Sequence, residues 1–325
     1  MSELRWHSLL RQWVVVASHR QNRPQMPANW CPFDPGSGQV PDNYDVYVYP
    51  NDFPAFDEDE EPFDPEPGLF RTTGARGKCD VILYHPNHTQ RPSDLPAEHW
   101  RKIVDVWASR VDELAKLPDV QHIMVFENTG VAIGVTMPHP HGQIYAFPFV
   151  PPLVQTELDA SREHYQCNFT CLYCELMKRE IADKVRIVAE NEHFVAFVPF
   201  AARFPSEIQL YSRRHFGRLQ DMTEEERQSF ASMLSTVRRK YDHLYTDIEP
   251  KDTVLPLMMV LRMPPVHGNH PFFHFHVEFL PLQRSQKKLK YLAAVETAGG
   301  TYLADTRPEE RAAALRNAEP ATPEA

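Results

Sequence analysis

Val81-Ile-Leu-Tyr-His-Pro-Asn-His88 and Ile208-Gln-Leu-Tyr-Ser-Arg-Arg-His215 repeat one another. Each reads as an apolar strand that ends in Tyr-x-x-x-His. An acidic helix start follows each at the same distance, Asp94-Leu-Pro-Ala-Glu98 and Asp221-Met-Thr-Glu-Glu225. Both read as capped starts, and an amphipathic pattern then runs to Leu114 and to Leu244. The strand, its closing histidine and the acidic helix start are each offset by 127 residues between the copies. A further strand follows each helix, Ile123-Met-Val-Phe126 and Leu257-Met-Met-Val-Leu261. Then come two histidine pairs, His139-Pro-His141 and His274-Phe-His276, now offset by 135, so the second copy carries eight extra loop residues. Matched histidines at matched distances indicate internal duplication. The duplication extends upstream, where Cys31-Pro-Phe-Asp34 precedes the first copy and Cys171-Leu-Tyr-Cys174 the second.

Neither copy alternates strand and helix as a doubly wound parallel sheet requires. The expected fold is α+β: one large, mainly antiparallel sheet shared by both halves, with helices packed on one face. The expected units are residues 1–162, 163–305 and 306–325. The last reads as an exposed helix from Pro308 to Asn317 and a flexible Pro/Ala/Glu tail.

Composition narrows the function. The formal charge is -10, and residues 52–66 alone hold eight acids and no base. The acidity is therefore mostly one loop, and no basic face for nucleic acid is expected. No apolar run reaches the roughly 18 residues of a membrane span. The N-terminus has no signal-peptide pattern, so a cytoplasmic protein is expected. Five cysteines in such a chain speak against a disulfide framework, and 16 histidines beside them suggest metal.

The second copy offers Cys171, Cys174, His215 and His274, a Cys-x-x-Cys knuckle with two distant histidines. Zinc favours four N/S ligands in a tetrahedron. The duplication selects the two histidines, because they occupy matched positions. Cys167 is a substitute ligand four residues before Cys171. The first copy offers Cys31, Asp34, His88 and His139, with a carboxylate in place of one thiolate. His85 is a nearby alternative to His88. Two zinc ions per chain are expected.

His139-Pro-His141-Gly-Gln143 carries the chemistry. In an extended segment, positions 139, 141 and 143 share one face. Pro140 stiffens the spacing, and Gly142 is expected to let a ligand approach the backbone. With His139 tied to metal, His141 is left to react. A neutral imidazole is a competent nucleophile when one nitrogen donates and the other faces the electrophile.

These residues, with Phe126-Glu-Asn128-Thr-Gly130 before them and Ile-Tyr-Ala after, resemble the galactose-1-phosphate uridylyltransferase family of the histidine-triad superfamily. The resemblance includes His19-Arg20-x-x-Arg23-Pro24, Asn51-Asp52-Phe53, Pro86-Asn-His88 and Lys290-Tyr-Leu-Ala-Ala-Val-Glu296. It implies two tandem histidine-triad-like halves. It also implies transfer of UMP from UDP-glucose to a hexose 1-phosphate, through a uridylyl group on His141. Gln143 would hydrogen-bond the phosphoryl oxygens where histidine-triad hydrolases carry a third histidine. Asn128 and Thr136 would contact phosphate, and Asn51, Asp52 and Phe53 would line the uridine pocket. Arg20 and Arg23 would meet the diphosphate, and Lys290 and Glu296 phosphate and sugar. In the family these last four come from a partner subunit, which implies a homodimer. One branch of the family binds iron through a Glu and three C-terminal His. Here Glu157, His274 and His276 match, but Arg262 stands at the remaining position, so no iron is expected. A sister branch acts on ADP-glucose with zinc sites in both halves, which leaves the nucleotide open. A reading from another class is a zinc-stabilised nucleotide-binding protein without catalysis, which leaves His141 and Gln143 without a task.

Overall fold

The structure is a computed structural model and describes residues 2–22, 30–248 and 254–318. In chain order the strands are β1 (Glu3–His7), β2 (Gln12–Val16), β3 (Tyr47–Pro50), β4 (Thr72–Gly74), β5 (Lys78–Leu83), β6 (His122–Thr129) and β7 (His141–Phe147). They continue as β8 (Ile187–Glu190), β9 (Phe194–Phe197), β10 (Ile208–Ser212), β11 (Leu257–Arg262), β12 (His276–Pro281), β13 (Gln283–Ser285) and β14 (Lys288–Leu289). The α-helices are α1 (Ala97–Leu114), α2 (Pro152–Asn168), α3 (Leu172–Asp183), α4 (Glu224–Leu244), α5 (Ala294–Thr297) and α6 (Pro308–Asn317).

Nine strands form one sheet in the order β3-β5-β7-β6-β11-β12-β10-β9-β8. Its neighbouring strands are all antiparallel. The duplication is visible in that order. Strands β5, β7 and β6 are mirrored by β10, β12 and β11, and the halves join where β6 pairs with β11. The expected α+β fold with a shared antiparallel sheet is the observed one. Strands β1, β2 and β4 make a small second sheet, and β13 and β14 a hairpin.

Side-chain alternation explains the layers. Ile123, Val125, Ile144, Ala146, Met259, Leu261, Val277 and Phe279 face one side and are buried beneath α1 and α4. Helix α1 supplies Trp100, Ile103, Val104, Trp107 and Val111 to that core, and α4 supplies Phe230, Leu234, Val237 and Tyr241. These spacings are the stripe of an amphipathic helix. Two expectations need correction here. Helices do not lie on one face alone: Val154 and Leu158 of α2 and Tyr173 and Met177 of α3 cover Val195, Phe197 and Tyr211 on the opposite face. Strands β9 and β10 are apolar on both sides, so both sides must be covered. Helix α6 is docked rather than exposed, because Ala312 and Leu315 are buried in the main core.

The two long helices also begin differently. Thr223 caps α4, with Thr223 and Glu226 completing a reciprocal capping box. Helix α1 starts at Pro96 without a side-chain cap, and Asp94 instead pairs with Arg91. The boundary expected at 162/163 falls inside the unbroken α2. The expected tail beyond residue 318 lies outside the described residues. Among the described residues, no helix is long and apolar enough to cross a membrane.

Candidate active site and metal centres

Strand β7 lies between β5 and β6, with Gln143 opposite Val81 on one side and Phe126 on the other. Gly142, Ile144 and Ala146 alternate with His141 and Gln143 and face the helices. His141 and Gln143 therefore face the other way, as does Asn128 on β6.

The hydrogen bonds of His141 settle its tautomer. Its Nδ1 lies 2.7 Å from the His139 carbonyl, which can only accept. Nδ1 therefore carries the proton, and the lone pair is on Nε2. The same logic applies to His139, whose Nε2 lies 2.8 Å from the His85 carbonyl. Its Nδ1 lone pair points to Asp34 Oδ1 at 3.3 Å and Cys31 Sγ at 3.7 Å. Burial pushes His139 down to about 4, which keeps it neutral as a metal ligand must be.

The second copy reproduces this arrangement. His274 Nε2 lies 2.8 Å from the Ser212 carbonyl, and Ser212 is 127 residues after His85. His274 Nδ1 and His215 Nδ1 lie 3.2 and 3.3 Å from Cys174 Sγ. His276 Nδ1 donates to the His274 carbonyl at 2.9 Å, as His141 does to His139. The backbone carbonyls that orient both metal-facing histidines were not foreseen from the sequence, although the offset of 127 pointed to them.

Both four-residue sets come together. Cys171, Cys174, His215 and His274 bring one donor atom each within 4.8 Å of the others, and so do Cys31, Asp34, His88 and His139. A tetrahedron with arms of about 2.0–2.3 Å has edges of roughly 3.3–3.8 Å, and the separations given above fall close to that range. His88 Nδ1 and Asp34 Oδ1, 3.6 Å apart, are enclosed without a hydrogen bond. Charge makes the same demand. Burial, with help from Asp34, pushes the Cys31 thiol up to about 11. A hydrogen bond from Cys174 favours the Cys171 thiolate, and that thiolate holds the Cys174 thiol far above its usual value. A second thiolate needs a cation beside it. The residues fit zinc in both places. Cys167 is exposed and outside the set, and His85 contributes its carbonyl rather than its ring.

The other expected contacts divide. Asn51, Asp52 and Phe53 form one loop, in which Asn51 Oδ1 accepts from the Phe53 N–H and Asp52 accepts from Tyr49. Arg20 reaches that loop within its own chain, donating to the Phe53 carbonyl at 2.7 Å. The short helical turn Ser18–Asn22 after β2 places it there. Arg23 lies outside the described residues. The Thr136 hydroxyl is enclosed without a hydrogen bond. Lys290 and Glu296 pair with each other at 3.1 Å, and Lys290 also donates to Leu303.

Gly142 also departs from expectation. A Cβ there would collide with the Tyr84 hydroxyl and lie 2.8 Å from Tyr84 Cζ. Its missing side chain makes room for a protein side chain behind the sheet, not for a ligand in front.

The second copy is closed. Glu278 stands where the first has Gln143, paired by Arg262 at 2.6 Å. His276 is fully enclosed, with the rings of Tyr211, Tyr173 and Phe273 around it. Arg262 also approaches Glu157, at 3.8 Å. A guanidinium fixed beside Glu157 and His276 does not fit an iron centre.

Fold and site together define a protein of two repeated halves on one antiparallel sheet, with His141 partly exposed in the first and His276 buried in the second. The family model for the N-terminal domain of galactose-1-phosphate uridyl transferase matches residues 31–151, and that for its C-terminal domain matches 157–322. The galactose-1-phosphate uridylyltransferase of Thermotoga maritima is 38% identical over 98% of this chain and 99% of that protein. That of Haemophilus influenzae is 32% identical over 96% and 93%. A solved uridylyltransferase structure superposes with a TM-score of 0.88 at 32% identity, covering 97% of this chain and 98% of that one. An ADP-glucose phosphorylase from Arabidopsis thaliana shares the fold, with a TM-score of 0.77 at 23% identity over 99% of this chain and 100% of that one. The chain belongs to the galactose-1-phosphate uridyl transferase family, and it is a nucleotidyltransferase.

Proposed function

We propose that this chain transfers UMP from UDP-glucose to galactose 1-phosphate by double displacement, with His141 as nucleophile. The observation that carries the reading is the His141 Nδ1 bond to the His139 carbonyl, which leaves the lone pair on Nε2. Nε2 attacks the α-phosphorus, and the bond from that phosphorus to the bridging oxygen breaks. Glucose 1-phosphate leaves with the electron pair. A phosphate oxygen of galactose 1-phosphate then attacks the uridylyl-histidine and returns the pair to Nε2.

The side chain of Gln143, two residues on and on the same face, donates to a non-bridging phosphoryl oxygen as charge grows there. A sugar phosphate is a stable anion when it departs, so a neutral amide suffices where a poorer leaving group would need an acid. The chain therefore favours transfer over hydrolysis. Asn128 and Thr136 contact phosphate, and the Asn51–Phe53 loop with Arg20 and Arg23 receives the nucleotide. Lys290 and Glu296 serve the sugar phosphate of a neighbouring subunit in a homodimer. The two cysteine–histidine sets hold one zinc each, and zinc there supplies a cross-link that fixes the histidine strand and balances the thiolates. The reaction itself is assigned to His141 and Gln143.

Incubation with UDP-glucose labelled in its α-phosphate should leave acid-labile label on the protein, and His141→Asn should abolish label and turnover. Label that persists in that variant would show the nucleophile to be another group. Faster labelling from ADP-glucose would move the assignment to the adenine nucleotide.

A further inference from the structure

Strand β7 has a second face, directed away from the substrate, and a group of polar side chains is buried there. Tyr84, the residue after β5, is fully buried with its ring edge-on to Trp100 and Trp107, at 5.6 and 6.0 Å. It meets the nucleophile segment twice. Its backbone N–H donates to the Pro140 carbonyl at 2.9 Å, and its hydroxyl fills the space where Gly142 would carry a Cβ. Those two points flank His141.

The carboxylate of Glu127, wholly buried on β6, is near enough for its charge to bear on the hydroxyl. Arg238 of α4, also buried, brings Nη2 to 2.6 Å from Glu127 Oε1 and rests over the Trp100 ring. Among the described residues, neither the Tyr84 hydroxyl nor the Glu127 carboxylate has a well-formed hydrogen bond, so the set is held by the Glu127–Arg238 ion pair and by packing. Desolvation makes a buried ion pair a poor source of stability, and apolar residues of the same volume often replace one without loss. A core otherwise built of Trp, Ile, Val and Phe had that option. The polar set is better explained by the geometry it imposes on the strand in front of it.

We infer that Tyr84, with the Glu127–Arg238 pair behind it, is a positioning residue of the transfer reaction: it clamps the backbone on both sides of His141 from behind the sheet. The inference rests on the assignment of His141 as nucleophile. In-line attack on phosphorus tolerates little displacement of Nε2, and a misplacement of about 1 Å costs on the order of a hundredfold in rate. The clamp bears on the chemical step and not on substrate affinity, because no member of it faces the substrate.

Single-turnover labelling of the full-length, zinc-loaded protein separates these effects. Tyr84→Phe removes one oxygen and keeps the ring. The expected result is a labelling rate at saturating UDP-glucose lowered about tenfold or more. The donor concentration for half-maximal rate, the zinc content and the melting temperature should change little. Gly142→Ala should cost more, and that extra cost should shrink but not vanish in the Tyr84→Phe background, where the oxygen is gone and the ring carbon Cζ, 2.8 Å from the new Cβ, remains. If Gly142→Ala does not fold, the paired Glu127→Gln, Arg238→Met variant removes both charges together and should show the same fall in rate at unchanged half-saturation. A wild-type rate in Tyr84→Phe overturns the clamp. So does a loss that follows zinc or melting temperature, or a Gly142→Ala penalty equal in both backgrounds. Failure of the wild-type protein to take label at all would instead overturn the functional reading.

Discussion

His141 and His276 show how surroundings decide what a residue can do. Each donates through Nδ1 to the carbonyl of the histidine two residues earlier. His276 is enclosed by aromatic rings, and burial pushes it down to about 4. The tyrosines of α3 and β10 that enclose it could not be assigned to it from the sequence, because they lie 65 to 103 residues away in the chain. His122 offers a separate test of buried histidine. Burial, with Arg262 adding to it, holds its folded value at about 3. The unfolded chain restores it to about 6.5. Below that pH the unfolded state binds a proton that the folded state refuses. The stability concerned is thus complete above pH 6.5 and lost as pH falls toward 3, at about 1.4 kcal/mol per pH unit. His122→Phe should flatten the decline between pH 6 and 4 in urea unfolding, and a slope equal to wild type would refute this.

Elements show where local rules held and where packing overrode them. The start of α4 was readable because Thr223 and Glu226 sit three residues apart and satisfy each other's backbone N–H groups. Thr223→Ala should cost about 1 kcal/mol in denaturant unfolding. Asp94→Ala should cost little, because Asp94 does not cap α1 and its exposed pair with Arg91 is worth roughly 0–1 kcal/mol. The Cys-x-x-Cys knuckle begins α3: Cys171 is its N-cap and Cys174 lies in the first turn. Metal at that point would join α3 to the segments that follow β10 and precede β12. Cys174→Ser should lower the zinc content from two to one per chain and reduce the melting temperature. Chelation should then lower it further, and full zinc content in that variant would remove Cys174 from the ligand set.

At the scale of the molecule, the seam between β6 and β11 makes the halves interdependent. Their registered pairs run from Leu257–Thr129 to Leu261–Val125, and one core lies beneath both. Helices α1 and α4 pack on each other across the same seam, where Arg101 of the first pairs with Glu224 of the second at their surface. Residues 1–151 alone would expose β6 as an edge and leave α1 without α4. That fragment should show no cooperative unfolding, and co-production with 152–325 should recover a single folded complex. A stable isolated fragment would show the halves to be independent domains. The doubling of the fold was legible because offsets of 127 and 135 are properties of the chain. The order of the strands was not, because the same repeats could have faced each other through their outer strands.

The amino-acid sequence by itself determined the two copies, the two Cys/His/Asp sets that come together and the His-x-His-x-Gln strand. Each depends on residue type and spacing, and backbone geometry converts spacing directly into a shared face. The tertiary structure alone decided which copy is open, why position 142 must be glycine, and that Arg20 reaches the Asn51–Phe53 loop within one chain. Those outcomes depend on what approaches a residue from elsewhere in the chain, through the space left by other side chains, and no local pattern records that.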